Sequence, residues 1–386
     1  MKEIGVVFGG GGAKGSYETG VWRALEEMDF NVSAVCGTSI GAVNGAIIAQ
    51  GDFDLLARMW TDISLKDIVN ASYPDAQNLF DIKNIPHIAA DICKNQAIDV
   101  TPFKLLIHSL INEDKIRSSR IDYGLSVYSV TDKRGTDIWK DDIPKGHMAD
   151  YIIASAAMFG IPSPSYNDKV FFDGCIKNNI PVNMMLDKGF KNILAVDVGG
   201  FGMVKNIDST GINIFNLKCS ENIIGTMDFD ASKIRKSIKM GYLDTFRIFG
   251  HLAGDKYYIE TNSLVRSRNI YSQSILSGIE KAASAFAVDR FRAYEMNELI
   301  DKVIKRYKRY NVYYRKMKEK LSEDSIFNII TQKKIKLNDA LIVAWITDLI
   351  RNGRSDFINN KLIMNLLGSN YDAAGSLAYL LGEKER

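Results

Sequence analysis

The hydrophobic pattern changes character along the chain. In the first two hundred residues, short uninterrupted apolar runs alternate with stretches of helical period. Residues 4–8, 32–36 and 192–198 are continuous runs bounded by glycine or polar residues, the pattern of strands covered on both faces. Residues 16–28 place Val21, Ala24, Leu25 and Met28 at helical spacing, and 40–50, 53–63 and 102–110 are also helix-like. Residues 121–130 alternate partly as a strand with 136–140 as a pairing partner. A small-residue helix is predicted over 148–158 and a strand over 169–174, with a loop over 78–86. Strand, glycine loop, helix and strand over residues 4–36 form a βαβ unit. The fold class expected is therefore α/β, with a mainly parallel central sheet flanked by helices.

The second part reads differently. All seven prolines fall at or before Pro181, which fits a loop-rich first part and a helix-rich second. Residues 282–321 predict one strongly helical run. Val303, Tyr307, Tyr310, Tyr314, Met317 and Leu321 recur at steps of four and three as a single stripe. Residues 302–320 carry nine Lys or Arg against a single Glu, so the other faces are basic. One reading packs the stripe on helices predicted at 340–351 and 361–367. The other lays a basic amphipathic helix on an anionic membrane, as a peripheral contact. The division expected is an α/β domain over 1–265 and a C-terminal helical region over 266–386.

Composition narrows the function classes little. Hydrophobic content of 46% and charge of 25% are ordinary, and a net charge of +3 argues for no nucleic-acid partner. Cys36, Cys93, Cys175 and Cys219 lie far apart, with no metal-ligand spacing, and read as reduced thiols. The first apolar run begins at Ile4, leaving no room for a signal peptide, and no apolar stretch approaches the ~20 residues that span a bilayer. The expectation is a cytoplasmic or membrane-peripheral protein.

The chemistry concentrates in three segments. Gly37-Thr38-Ser39-Ile40-Gly41 joins a predicted strand to a predicted helix, the setting of a nucleophile elbow, in which a strained turn exposes a serine hydroxyl at the sheet edge. The motif alone is common by chance. Upstream, the run Gly9-Gly10-Gly11-Gly12-Ala13-Lys14-Gly15 has two readings. As G-x-G-x-x-G (Gly10, Gly12, Gly15) it matches a dinucleotide fingerprint, but Cys36-Gly37-Thr38-Ser39 stands where the ribose-binding acid is expected. As an oxyanion loop, its side-chain-free N–H groups converge on the oxygen of a tetrahedral intermediate beside Ser39. Downstream, Asp173-Gly174 closes a strand, where α/β proteins gather their chemistry. Asp197, ending another strand, is a rival acid.

Together these segments resemble the patatin-like phospholipase family, over roughly residues 4–260. The matches are Gly10-Gly11-Gly12-Ala13-Lys14-Gly15 for its oxyanion loop, Gly37-Thr38-Ser39-Ile40-Gly41 for its nucleophile, and Asp173-Gly174-Cys175 for the aspartate of its Ser-Asp dyad. Ala154-Ser155-Ala156-Ala157 and Gly241-Tyr242-Leu243-Asp244-Thr245 are similar to segments of its bacterial members. The resemblance implies a three-layer patatin-like fold and a serine lipid acyl hydrolase acting on phospholipid or another acyl lipid. Catalysis falls to Ser39 and Asp173, with Gly10, Gly11 and Gly12 as the oxyanion hole. Lys14, Gly15, Gly37, Gly41 and Gly174 support the motifs, Lys14 by steadying the loop or attracting an anionic head group. No metal or cofactor is implied.

Two departures stand out: Cys175 replaces a glycine or alanine, and Phe159 stands where proline is common, which is expected to reshape the acyl pocket. A Ser-acid-His triad would need His251, since His87, His108 and His147 precede Asp173. A regulated or inactive scaffold that binds membranes or partners is the alternative of a different class.

Overall fold

The computed structural model describes residues 3–70, 73, 75–95, 98–157, 165–166, 169–207, 210–319, 338–354 and 367–385. The chain divides into two compact units, Met1–Ile248 and Phe249–Arg386. Residues 249–265, read from the sequence with the first part, belong to the second, because Tyr257, Ile259 and Leu264 bury in its core.

The first unit is built on one sheet. Its strands are β1 (Glu3–Phe8), β2 (Asn31–Thr38), β3 (Asp122–Ser129), β4 (Arg134–Trp139), β5 (Ser165–Tyr166), β6 (Lys169–Asp173), β7 (Asn192–Asp197) and β8 (Asn213–Lys218). They lie in the order β5-β6-β3-β2-β1-β7-β8, with β4 also paired to β3. The five strands β3-β2-β1-β7-β8 are mutually parallel, and β4, β5 and β6 make antiparallel pairings at one end. The continuous apolar runs follow from helices on both faces. Val7, Ala34, Cys36, Ile193 and Ala195 point to one side, under α8 (Val182–Asp187). On the other side α2 (Ile40–Ala49) packs on β2 and β3, bringing Gly45 against Val35 and Tyr123.

Two other helices set the glycine loop. α1 (Ser16–Glu27) leaves it directly and crosses α9 (Ala231–Ile248) at very short range. A Cβ on Gly20 would lie 1.8 Å from the Ile238 carbonyl oxygen, and one on Gly241 2.0 Å from that of Tyr17. The Tyr17 hydroxyl also donates to buried Asp244, at 2.9 Å. The segment Gly241 to Thr245, noted in the sequence, is thus the seat of this crossing. The remaining helices of this unit are α3 (Phe53–Asp62), α4 (Ile85–Asn95), α5 (Thr101–Leu110), α6 (Glu113–Ser118) and α7 (Met148–Ser155). The loop expected over 78–86 ends early, at α4.

The second unit is helical: α10 (Thr261–Arg268), α11 (Gln273–Ala285), α12 (Met296–Lys318), α13 (Asp339–Arg351) and α14 (Ser369–Glu385), with short strands β9 (Leu252–Ala253), β10 (Tyr258–Glu260) and β11 (Ala293–Tyr294). The single run expected over 282–321 is broken between α11 and α12. Ala287 takes a positive φ of 51°, and the Tyr294 hydroxyl, donating to the Asp289 carbonyl, closes the turn. Val303, Tyr307 and Tyr314 bury in the core with Trp345 of α13. The Tyr314 hydroxyl donates to Asp348, at 3.0 Å. Leu321, the Met317 side chain and most of the helix expected at 361–367 lie outside the described residues. Among the described residues no helix is long and apolar enough to cross a membrane.

Candidate active site

Strand register brings the two expected catalytic residues together. On β3, Ser126 pairs with Thr38, the last residue of β2, and Val127 pairs with Asp173, the last of β6. Because β4 occupies the opposite edge of β3, β6 continues along the edge where β2 stops. Ser39 leaves β2 one residue beyond that point. No sequence pattern announces the change of partner along β3.

Ser39 has φ 57° and ψ −128°, a strained conformation for a residue with a Cβ, costing on the order of 1–3 kcal/mol. Three features hold it. Its N–H donates to the Ser155 hydroxyl at 3.0 Å, and that hydroxyl donates to the Ser126 carbonyl at 2.7 Å. Gly37 admits the start of α2, where a Cβ would lie 2.4 Å from the Gly41 carbonyl carbon, and Gly41 lets α2 approach within 2.5 Å of the Phe8 oxygen on the same measure. Gly174 likewise clears the Ser126 oxygen, at 2.3 Å. In the sequence Ser155 is only one of a run of small residues, Ala154-Ser155-Ala156-Ala157. Its anchoring role depends on α7 meeting β3, a long-range contact.

Asp173 is 2% exposed, and Ser39 6%. Burial pushes the Asp173 carboxyl up to about 6. Hydrogen bonds from the Cys175 N–H (2.9 Å), the Ser39 side chain and the Cys175 side chain oppose that rise. The carboxylate is thus a stronger base than an exposed aspartate. Cys175 fits in the glycine or alanine position of the motif while keeping the turn.

The glycine loop packs directly on the serine: a Cβ on Gly10 would meet the Ser39 Cβ at 3.0 Å. Of its three expected donors, Gly10 is already committed, its N–H donating to the Asn179 side-chain oxygen at 3.1 Å and to the Asn179 carbonyl at 3.3 Å. Among the described residues the Gly11 and Gly12 N–H groups have no protein acceptor. Gly12 takes φ +57°, and a Cβ there would lie 2.1 Å from the Thr226 oxygen, so glycine is required. Lys14 spans the loop and donates to the Gly199 carbonyl at 2.7 Å. Gly15 packs on Ile40, and its carbonyl accepts from Asn44 at 3.0 Å.

Two cavities meet at Ser39 and Gly12. One, of about 190 Å³, holds Asp173 and the loop glycines, with Phe80 and Phe201 at its mouth. The other, of about 60 Å³, is apolar, walled by Met59, Trp60, Phe103, Leu106, Ile107 and Phe229. Among the described residues neither is lined by a histidine; His147 instead pairs with Asp150 at 2.8 Å, and His251 belongs to the second unit. Asp197 lines a different groove and accepts from the Gly199 N–H. Phe159 lies outside the described residues.

Asn44 links these parts. Its amide donates to the Gly15 carbonyl and to Glu18 (2.7 Å), and its oxygen accepts from the Trp60 indole at 3.0 Å. Glu18 is fully buried, and burial holds its carboxyl well above the ordinary range despite the Asn44 bond. Replacing Asn44 with alanine strands both the Glu18 carboxyl and the Trp60 N–H. Denaturant unfolding is expected to show a loss of about 2–4 kcal/mol.

The fold and its site define a class: an α/β protein holding an elbow serine against a buried aspartate, beside a glycine loop and an apolar cavity. Residues 6–186, a little under half of the chain, match the family model described as patatin-like phospholipase. Similar proteins include patatin-like phospholipase domain-containing protein 7 of Rattus norvegicus, 27% identical over 209 residues, covering 51% of this chain and 14% of that protein. Patatin-like phospholipase domain-containing protein 6 of Homo sapiens is 29% identical over 209 residues, covering 51% and 13%. Lysophospholipase NTE1 of Saccharomyces cerevisiae is 29% identical over 199 residues, covering 51% and 11%. The chain therefore spans 14% or less of the length of these relatives. The crystal structure of VipD from Legionella pneumophila is 13% identical, with a TM-score of 0.41 over 98% of this chain and 90% of that one.

Proposed function

We propose that the protein is a serine acyl hydrolase of lipid carboxylic esters, of the phospholipase A or lysophospholipase type, acting through a Ser39-Asp173 dyad. The observation that carries this reading is the convergence of a strained elbow serine, a buried basic aspartate and free glycine N–H groups on one cavity. The relatives named as phospholipase-domain proteins and a lysophospholipase support the substrate class. So does the apolar cavity beside Ser39, of suitable chemistry for an acyl chain, and the exposure of Phe80 (56%) and Phe201 (82%) at the mouth.

In this mechanism Asp173 takes the hydroxyl proton as the Ser39 Oγ attacks the ester carbonyl. The developing oxyanion is met by the Gly11 and Gly12 N–H groups; such a donor is worth about 3 kcal/mol of transition-state stabilisation. Collapse expels the alcohol, which leaves with the proton from Asp173, and Ser39 carries the acyl group. Water, deprotonated by Asp173, then attacks the acyl-enzyme, releasing the fatty acid and restoring Ser39.

The test is hydrolysis of lysophosphatidylcholine and of a short-chain p-nitrophenyl ester across pH. The rate constant is expected to rise as pH increases through about 6, as Asp173 loses its proton. Asp173→Asn is expected to lose activity at every pH. Stability moves the opposite way. A native pKa raised above the unfolded value means that the folded state holds this proton more tightly, so stability declines as pH rises from about 4 to about 6. At pH 7 the charged, buried carboxylate costs on the order of 3 kcal/mol. Asp173→Asn is expected to recover part of that, and a variant that keeps wild-type hydrolysis sinks the dyad.

A further inference from the structure

The second unit holds a cavity of about 310 Å³ with a strongly cationic lining. Lys302, Lys305, Arg306 and Arg309 reach it from successive turns of α12, and Arg292 from the residue before β11. Two of the five are held in place. Glu298 pairs with Arg292 at 2.9 Å and with Lys302 at 3.3 Å, and both cations lie over the face of Tyr294, at 4.6 and 5.3 Å from its centroid. The other three, Lys305, Arg306 and Arg309, are exposed and have no carboxylate partner among the described residues. The remaining acid is Asp289, whose carboxylate accepts from the Phe291 N–H at 3.0 Å. Five cations therefore face two carboxylates around one hollow.

Helix positions three and four apart repel when they carry like charge. Lys302, Lys305, Arg306 and Arg309 form such a set; Glu298 is the counter-charge for Lys302, and Asp301, one turn before Lys305, lines the neighbouring groove with Lys305 and Arg309. A concavity with surplus positive charge concentrates anions. Three of the cations are arginines, whose planar forks match phosphate oxygens bidentately, while the lysines act as point charges on the same groups. A half-open hollow of this size suits a compact anion better than the extended backbone of a nucleic acid.

We propose that this cavity is a binding site for an anion carrying two or more phosphate groups, whether a soluble polyphosphorylated molecule or a phosphorylated lipid headgroup. The site is independent of the ester-hydrolase reading, since every residue in it lies outside the first unit.

The experiment titrates the full-length protein with tripolyphosphate by calorimetry. In parallel it measures co-sedimentation with phosphatidylcholine vesicles containing a phosphatidylinositol bisphosphate, or phosphatidylserine at equal total charge. Saturable one-to-one binding is expected, weakened roughly tenfold for each cation removed in the triple variant Lys305→Gln, Arg306→Gln, Arg309→Gln. These side chains are exposed, and circular dichroism checks that the helix persists. Arg266→Gln with Arg268→Gln, exposed on α10 of the same unit, removes charge away from the cavity and is expected to bind as wild type. Retention on bisphosphate vesicles but not on serine-lipid vesicles assigns a lipid headgroup; tripolyphosphate binding without vesicle retention assigns a soluble ligand. The proposal is overturned by absence of saturable binding in both arms, by equal weakening in the Arg266 and Arg268 variant, or by duplex DNA outcompeting tripolyphosphate.

Discussion

Ser39→Ala is expected to leave the fold intact and to lower ester hydrolysis by about 10⁴-fold or more, the scale seen when a nucleophile is deleted from a preorganised acyl-transfer site. The fold survives because the Ser39 side chain does not cap α2, and the Ser155 bond that holds the elbow is made to the Ser39 backbone N–H. Alanine also keeps the Cβ that already occupies the strained backbone, so no new strain is added. What disappears is the Oγ proposed to form the acyl-enzyme. Kinetics with a short-chain p-nitrophenyl ester, alongside thermal melting, check both halves. Undiminished turnover in the folded variant removes Ser39 from the mechanism and with it the dyad.

Gly20→Val is expected to destabilise the protein by at least about 3 kcal/mol. The reason is the α1–α9 crossing. A side chain on Gly20 would meet the Ile238 oxygen at 1.8 Å and the Tyr242 nitrogen at 2.6 Å, both backbone atoms that no rotamer change can move away. Relief requires separating two helices joined by the Tyr17–Asp244 hydrogen bond. Because α1 begins where the glycine loop ends, that displacement also drags Gly11 and Gly12 relative to Ser39. Activity of the surviving folded fraction is therefore expected to fall as well. Urea unfolding reads the first effect, and turnover per folded molecule the second. A variant as stable as wild type shows that the crossing has room to widen.

Much of the site was legible because its chemistry is written in local runs. A nucleophile elbow needs glycine two residues either side of the serine, and an oxyanion loop needs successive residues without side chains. Both requirements act over five or six neighbours and leave a sequence mark. The parallel strands were equally visible, since burial on both faces produces unbroken apolar runs such as Val6-Val7-Phe8. The basic run of α12 was visible as composition, but its five-cation hollow was not, because Arg292 joins it only through the turn between α11 and α12. That turn was itself missed. A positive φ at Ala287, held by a tyrosine seven residues on, leaves no glycine or proline to mark it.

The sequence by itself determined the α/β class, the elbow serine, the glycine loop and the acidic strand end, since each follows from backbone needs met within one turn or one strand. Only the tertiary structure decided which aspartate faces Ser39. Asp173 and Asp197 both close strands, and the difference is that β6 takes over the edge of β3 where β2 ends. Only the tertiary structure showed that Asn179 occupies the Gly10 N–H, that Ser155 pins the elbow, and that Asn44 ties the loop to Trp60. Those bonds join residues from 16 to 169 positions apart. Such pairings depend on how sheet and helices close around the site, and no local periodicity encodes that closure.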